Sequence, residues 1–371
     1  MSDWLSKYRR EIEYCSYCPK LCRFACPVAE AERSETLTPT GKQTVLKLVN
    51  DGLLPFDAAA AEPLFMCTGC LISRTYCEHD IEVYPPFEAA RREAVRRGVA
   101  PAKAMAFEGA WQKRGNPFGA DLATKLEGLL PPERLTRGGK VVFFTGCTAL
   151  HYFPEQVADA ARVLEALRLD WRAFSAEHLC CGQPLLALGH EDAFKKQARE
   201  TAAALAGAEL VVTPCPTCAH VLQDRYPEFG AEISARVVPL VALAAERLSQ
   251  LLIVRRDPRS VGYHDPCHLG RYLGMYEEPR RVLAATLEGP LVEFPENRDR
   301  SVCCGGGGGL PVTRPDTARA IAGDRVADAR ASGAEVVATA CPMCRRMLGR
   351  TGRDAGVIAE DVVSILARGL Q

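Results

Sequence analysis

The stretch VVFFTGCTAL (141–150), followed by LCCG (179–182) and TPCPTC (213–218), returns further on as VGYHDPCHLG (261–270), VCCG (302–305) and TACPMC (339–344). Each copy carries five cysteines in one order: a single residue, an adjacent pair and a closing C-x2-C. The first set is Cys147, Cys180, Cys181, Cys215 and Cys218; the second is Cys267, Cys303, Cys304, Cys341 and Cys344. Intervals of 32 and 33 residues in the first become 35 and 36 in the second. An order kept twice at a nearly constant period marks an internal duplication. Short apolar runs at 141–145, 209–213, 261–264 and 335–339 lead directly toward cysteines. Helix-patterned segments (154–169, 193–206, about 279–287 and 317–332) and brief strands (171–174, 292–294) lie between them. Strands alternating with helices predict an α/β fold with parallel sheets under helical cover. The carboxyl ends of such strands are where open α/β sheets place their ligands. A similar helical tail is expected after each copy, VVPLVALAAERL (237–248) and DVVSILARGL (361–370). The two units are expected to pack about a pseudo-twofold.

Outward from this repeat, the totals restrict the possibilities. A chain of 371 residues has room for two or three domains. Lys plus Arg and Asp plus Glu are 46 each, with 47% hydrophobic and 25% charged residues. That balance excludes nucleic acid or an anionic membrane as the main partner. No apolar run reaches the ~20 residues of a membrane helix; residues 237–254 come nearest, and Glu246 and Arg247 interrupt them. The N-terminus MSDWLSKYRREIEYC has neither an apolar core nor a small-residue cleavage site, so no secretory signal is expected there. Seventeen cysteines, an odd number without an export signal, argue against a disulfide scaffold. Twelve of the seventeen fall in C-x2-C or C-C groupings, which is metal-ligand spacing.

The segment CSYCPKLCRFACP (15–27) carries Cys15, Cys18, Cys22 and Cys26, with one residue more before its third cysteine than the bacterial ferredoxin run C-x2-C-x2-C-x3-C-P. MCTGCLISRTYCEHD (66–80) carries Cys67, Cys70 and Cys77, and Ser73 stands where a third cysteine belongs. In crossed ferredoxin wiring Cys15, Cys18, Cys22 and Cys77 would hold one cubane; Cys26, Cys67 and Cys70 would hold the other, with Ser73 at its fourth corner. Serine is a harder donor than thiolate, so that cluster is expected to be serine-ligated, solvent-ligated or one iron short. Turn-capping is the alternative role for Ser73, and His79 is an alternative ligand or a hydrogen-bond donor. Helices are expected over 1–14 (Trp4, Leu5, Tyr8 and Ile12 at helical spacing), 41–50 and 88–98. The last holds Arg91, Arg92, Arg96 and Arg97, read as a solvated face or alternatively a docking patch for an acidic partner. GNPFG (115–119), LLPPERL (129–135) and RGGK (137–140) read as linker. The organisation read from the sequence is thus a helical domain (1–100), a linker (101–139) and two α/β units (140–250 and 251–371).

These motifs resemble the CCG-domain (cysteine-rich domain) family, over about residues 10–90 and 140–370. It includes catalytic subunits of heterodisulfide reductases and the iron–sulfur subunits of glycolate oxidase and anaerobic glycerol-3-phosphate dehydrogenase. The order of parts is similar to that of the D subunits of heterodisulfide reductases. The resemblance implies an N-terminal α-helical ferredoxin-like domain followed by two duplicated, Rossmann-like CCG units. It also implies a noncubane [4Fe–4S] cluster on each five-cysteine set. Cys180, Cys181, Cys303, Cys304 and His268 are then the candidate catalytic groups, with Gly182, Gly305, Gly306, Gly307 and Arg271 around the cofactors. All-cysteine zinc sites remain the rival, but four thiolates per zinc leave the C-C pairs without a role. The glycine run 305–309 lacks the lysine of a phosphate-binding loop. It is expected to bring backbone N–H groups close to a cluster. Arg345 and Arg346 would offset cluster charge, orient an anionic substrate or lie on a solvated helix face.

With no dinucleotide fingerprint of its own, the chain is expected to relay electrons between a flavoprotein dehydrogenase and a quinone, a membrane subunit or a disulfide. The alternatives are a catalytic disulfide reductase and a zinc-stabilised scaffold. A cytoplasmic location is expected, peripheral at the inner membrane face through a partner.

Overall fold

The computed structural model describes residues 3–136, 139–174 and 179–371. The first two residues of the expected N-terminal helix, Arg137 and Gly138 of the RGGK run, and residues 175–178 lie outside the described residues. Within them the protein is α/β, with helices around two four-stranded parallel sheets.

The first sheet contains β1 (Val141–Phe143), β2 (Trp171–Ala173), β3 (Leu210–Thr213) and β4 (Arg236–Pro239) in the order β2-β1-β3-β4. The second contains β5 (Val261–His264), β6 (Val292–Glu293), β7 (Val336–Thr339) and β8 (Ile358–Asp361) in the order β6-β5-β7-β8. Val141 faces Trp171 and Leu210 across the ladder, and Val261 faces Val336. Central strands β5 (VGYH) and β7 (VVAT) are buried at every position, as strands covered on both faces are, which is why neither shows a polar–apolar alternation. The tail 237–248, expected to be helical, instead opens as strand β4 and turns into a helix at Leu240. The reason is pairing: Val237 and Val238 lie beside Val211 and Val212, where β-branched side chains pack well. β8 was likewise not legible, and its last residue, Asp361, caps the helix Val362–Gly369 by accepting from Val363 N–H.

Residues 3–100 carry no strand among the described residues. A 3₁₀ turn (Asp3–Tyr8) leads into α1 (Arg9–Tyr17), followed by α2 (Pro27–Glu32), α3 (Pro39–Asn50), α4 (Ala58–Phe65), α5 (Ile72–Thr75) and α6 (Tyr84–Arg96). Pro27 and Pro39 begin their helices, where a missing N–H costs nothing. Thr38 and Asp57 cap α3 and α4 by accepting from Gly41 and Ala60 N–H. Residues 101–139, read as a linker, contain short helices and bury Phe107, Trp111, Leu122, Leu126 and Leu130. Buried Asn116 closes this segment on itself, donating to Arg114 and Ala120 carbonyls, both at 2.8 Å.

The solvated reading of the α6 arginines fails at Arg91, which is fully buried. Its guanidinium donates to the carbonyls of Leu64 (2.9 Å) and Cys67 (2.7 Å) in the N-terminal part. The same side chain reaches Ala187 (2.8 Å) beside the first sheet and Gly308 (2.9 Å) beside the second. One side chain therefore joins three regions of the chain. Arg96 and Arg97 instead fold back onto Glu93.

Candidate metal centres

None of the seventeen cysteines is in a disulfide. In the first α/β unit the chain leaves β1 and delivers Cys147 through Gly146. A Cβ at Gly146 would lie 3.3 Å from Cys218 Sγ, at φ +73°. β3 runs into Cys215 and Cys218 at the start of the helix Pro216–His220. In the second, β5 leads to Cys267, and β7 leads to Cys341 and Cys344 at the helix Pro342–Gly352. Cys147 Sγ lies 3.1 Å from Cys180 Sγ. Hydrogen bonds converge on the second cysteine of each pair: Cys180 and Cys218 donate to Cys181, and Cys303 and Cys344 donate to Cys304. Those bonds draw the Cys181 and Cys304 thiols well below their ordinary range despite burial.

One cavity of ≈ 410 Å³ lies between the two units. Nine of the ten repeat cysteines line it, all but Cys303. The two sets touch across it, Cys341 donating to Cys215. His268 is also on its wall, stacked on Tyr272 (ring centroids 4.4 Å apart) with Nδ1 3.5 Å from Cys267 Sγ. Burial, reinforced by His220, pushes His268 down to about 3, so its ring is neutral at ordinary pH. Residues without any sequence signal share this wall, including Phe107, Phe118, Tyr152 and Met343. The first two come from the supposed linker, whose Gly and Pro content concealed them.

His264, buried at the end of β5, accepts from Arg325 Nε at its Nδ1 (3.3 Å) and bonds Cys304. With Nδ1 an acceptor, the ring proton sits on Nε2, so the bond to Cys304 is a donation. Three residues before Cys147 the corresponding place is Phe144, packed on Phe174 at 5.0 Å. At this position, among the described residues, the second set has a side-chain donor where the first has a phenyl ring.

The N-terminal cysteines gather as two groups. Cys15, Cys18, Cys22 and Cys77 line one small cavity; Cys26, Cys67 and Cys70 line another; Ser73 borders both. The α5 turn has no side-chain cap, so the capping alternative for Ser73 has no support in the geometry. His79 sits exposed on the rim of the first group. Burial raises the Cys15 thiol to about 12 and Cys22 to about 11. Cys70 is lowered to about 5, chiefly because the Cys303 thiol shares its one S–H between Cys70 and Cys304, and secondarily by the Arg271 charge. Arg271 Nε also donates to Cys70 O (2.5 Å), and Tyr272 hydroxyl donates to Gly69 O (2.7 Å). The N-terminal C-x2-C is thereby clamped to the second unit.

Two of the glycines also have a packing reason. A Cβ at Gly307 would lie 2.3 Å from Thr68 O, and one at Gly308 1.9 Å from Cys67 O. Gly307 and Gly308 therefore let this loop lie directly on the Cys67–Thr68 backbone. Gly305 does offer its N–H to Cys303 Sγ at 3.3 Å, and space for a Cβ at Gly306 is closed by Met343 and Cys304 Sγ. Gly182, at φ +83°, packs against Phe194 rather than a sulfur. Arg345 pairs with Glu155 (2.9 Å) and Gln156. Arg346 lies over the Tyr152 ring.

The donor chemistry fits iron–sulfur groups. Each repeat set offers five soft donors, all buried except half-buried Cys267, with no carboxylate among the described residues that line the cavity, and five is one more than tetrahedral zinc takes. A profile of the cysteine-rich domain (CCG) family matches residues 141–223 and 261–349. The D subunit of dihydromethanophenazine:CoB–CoM heterodisulfide reductase from Methanosarcina barkeri is 31% identical over 315 residues, covering 82% of this chain and 77% of that one. Its Methanosarcina mazei counterpart is 33% identical with the same coverage. The B subunit of fumarate reductase (CoM/CoB) from Methanothermobacter marburgensis is 27% identical, covering 93% and 69%. The chain belongs to the CCG cysteine-rich family of iron–sulfur proteins that includes the D subunits of heterodisulfide reductases.

Proposed function

We propose that this chain is the iron–sulfur electron-transfer subunit of an oxidoreductase complex, receiving electrons from a flavoprotein dehydrogenase partner and delivering them at the cavity between the two repeat sets. The observation that carries this reading is an unbroken succession of sulfur groups. Ser73 borders both N-terminal groups, Cys70 meets Cys303, and Cys215 meets Cys341. On this reading Cys15, Cys18, Cys22 and Cys77 hold a [4Fe–4S] cluster. Cys26, Cys67, Cys70 and Ser73 hold a serine-ligated or [3Fe–4S] cluster, and each five-cysteine set holds a noncubane [4Fe–4S] cluster. When bound, these groups supply one-electron steps at potentials set by charge and hydrogen bonding. The chain's own residues exclude water by burial, seat the sulfurs through Arg271 and Tyr272, and add a donor at His264.

The shared strand order of the two sheets supports reading them as one duplicated unit about a pseudo-twofold, behind a ferredoxin-like domain. The relatives are named as subunits, which supports a partner, with a membrane quinone-reactive subunit as a further candidate. Among the described residues no helix is long and apolar enough to cross a membrane. On this reading the chain is cytoplasmic and reaches the inner membrane face only through such a partner. Protein prepared without oxygen should contain about 15–16 iron atoms and matching sulfide; zinc with little iron would overturn the reading.

The cavity favours a second reading, in which the chain itself reduces a small disulfide between the sets. Two electrons and two protons would break the S–S bond and release two thiols. Cys180, Cys181, Cys303 and Cys304 then flank the reaction, with His268 at the wall. Disulfide turnover by the isolated chain with a reduced dye supports this version; reduction of the clusters without turnover leaves electron relay alone.

A further inference from the structure

Three cations lie buried around one of the two N-terminal cysteine groups. Lys42 on α3 is 1% exposed, Arg91 on α6 0%, and Arg271 in the turn after Cys267 7%. Each is set against a different cysteine of the Cys26, Cys67 and Cys70 group. Lys42 Nζ donates to Leu37 O (2.7 Å), the carbonyl that Cys26 Sγ reaches at 3.5 Å. Arg91 donates to Cys67 O (2.7 Å), and Arg271 to Cys70 O (2.5 Å). The other bonds of both arginines also go to carbonyl oxygens, and among the described residues none of the three cations pairs with a carboxylate. Elsewhere a buried arginine takes one: Arg280 binds Asp265 and Glu293, and Arg325 binds Asp328. Arg271 Nη2 is moreover buried with no hydrogen-bond partner among the described residues. A buried cation without a counter-charge is costly, and such charges are found paired or at metal centres. The counter-charge on offer here is sulfur. Burial pushes the Cys67 thiol up, and the Lys42 and Arg91 charges act against it; the Arg271 charge is attracted by Cys70, Cys267 and Cys303.

The other N-terminal group has different surroundings. Among the described residues no Lys or Arg lines its cavity, and Glu78 does. The chief influences on Cys15 and Cys22 are burial and the neighbouring cysteines. Cys18 and Cys77 are half-buried, so water screens charge there, whereas Cys26 and Cys70 are buried. A thiolate-held iron–sulfur group carries negative charge that grows by one on reduction, so fixed cations beside it favour the reduced form.

We propose that Lys42, Arg91 and Arg271 form a cation cradle that makes the Cys26, Cys67, Cys70 and Ser73 group the easier of the two N-terminal groups to reduce. The inference rests on the iron–sulfur reading given above. One electron then leaves the outer Cys15, Cys18, Cys22 and Cys77 group, supplied by the dehydrogenase partner, and enters the inner one; no bond is made or broken and no proton is needed. The three side chains touch the cysteine backbones rather than the metal, and act as positioning residues for charge.

The test uses the full chain purified anaerobically with its metal, titrated with dithionite and followed by electron paramagnetic resonance. The inner group's signal is the one that S73C alters. In wild type that signal should appear before the signal of the outer group; the reverse order would overturn the proposal without any cradle variant. In K42M and R271Q the inner group should become harder to reduce by about tenfold or more in equilibrium constant, about 59 mV for one electron, with the outer group unmoved. K42R and R271K keep the charge and should stay nearer to wild type than the neutral variants. Y272F removes the neighbouring bond to Gly69 O but no charge, and should leave the potential where it is. A lower melting temperature with an unmoved potential in K42M and R271Q would make the cations structural only and overturn the proposal, as would equal shifts in R271Q and Y272F. Iron and sulfide analysis of the same samples separates the two levels. Zinc in place of iron would remove the iron–sulfur reading and this inference with it, whereas full iron with potentials indifferent to the variants would sink this inference alone.

Discussion

Replacing Arg91 with alanine removes four hydrogen bonds that meet at one buried cation. The carbonyls of Leu64, Cys67, Ala187 and Gly308 lose their donors together, at sites too enclosed for each to find water. Hydrogen bonds to charged groups contribute about 1.5–3 kcal/mol each, and an orphaned buried acceptor costs about 1–3 kcal/mol. These terms do not add, because the loosened regions move apart and admit solvent. Breaking one buried ionic centre by truncation typically costs about 3–5 kcal/mol, and that range is the expectation for R91A. At about 2–4 °C per kcal/mol for large domains, melting should fall by about 6 °C or more. Lysine retains the charge but not the planar fork, so R91K should lie between wild type and R91A. The Cys67 carbonyl is among the acceptors, so R91A should also lose iron from the Cys26, Cys67 and Cys70 group before the others. Calorimetry with iron analysis measures both. An R91A protein melting within about 2 °C of wild type, with full iron, would refute the idea that Arg91 joins three regions.

Three further outcomes follow from single positions. Gly308→Ala forces a Cβ into the Cys67 carbonyl at φ +60°, so it should lower stability by about 1–3 kcal/mol and expose the loop to limited proteolysis. Asp361 is raised to about 7 by burial, its carboxyl bonded by Gln156 and Val363. Its folded value exceeds its unfolded one, so its stabilising term is full below about pH 4 and is lost as pH rises toward 7. D361N keeps a competent helix cap and lacks that loss; its stability relative to wild type should rise by about 2–4 kcal/mol from pH 4 to pH 8, and a flat difference in urea unfolding would contradict the burial argument. Ser73→Cys should raise iron by at most about one atom per chain and change a single low-potential signal in electron paramagnetic resonance; an unchanged spectrum would remove Ser73 from the ligand set.

The legible parts of this protein were those whose cause is local. Ligand spacing is a property of a few consecutive residues, so the cysteine motifs themselves were legible; that Cys77 would join Cys15, Cys18 and Cys22 while Cys26 joins Cys67 and Cys70 was expected from the crossed wiring of ferredoxins, and the linings of the two small cavities divide the same way. The runs of β1 (VVF), β3 (LVVT) and β7 (VVAT) are equally local, because strands covered on both faces are mostly apolar. β4 was hidden because Val237 and Val238 precede a helix of similar composition, and only pairing with β3 distinguishes them. Arg91 was misread because nothing in RREAVRR shows that one arginine points inward. Its partners Ala187 and Gly308 lie 96 and 217 residues away. Phe107 and Phe118 reach the cysteine cavity from a segment rich in turn formers, a pattern that describes backbone conformation and says nothing of burial.

Repetition of five cysteines does not make two equal sites. Spacing determines which atoms can face a metal, and that much is shared. The partners of those sulfurs come from positions the repeat leaves free to differ. At the matching place Phe144 packs on Phe174 in the first unit, whereas His264, oriented by Arg325, gives the second set a hydrogen-bond donor. The second set is also the one that the N-terminal part grips, through Arg271, Tyr272 and the Gly307–Gly308 backbone. Donors at sulfur favour the more negative, reduced state. Among the described residues a histidine donor therefore falls on the set adjoining the N-terminal sulfurs, and a phenyl ring stands at the matching place of the other, so the two sets differ through side chains around a repeated frame rather than through the cysteines themselves.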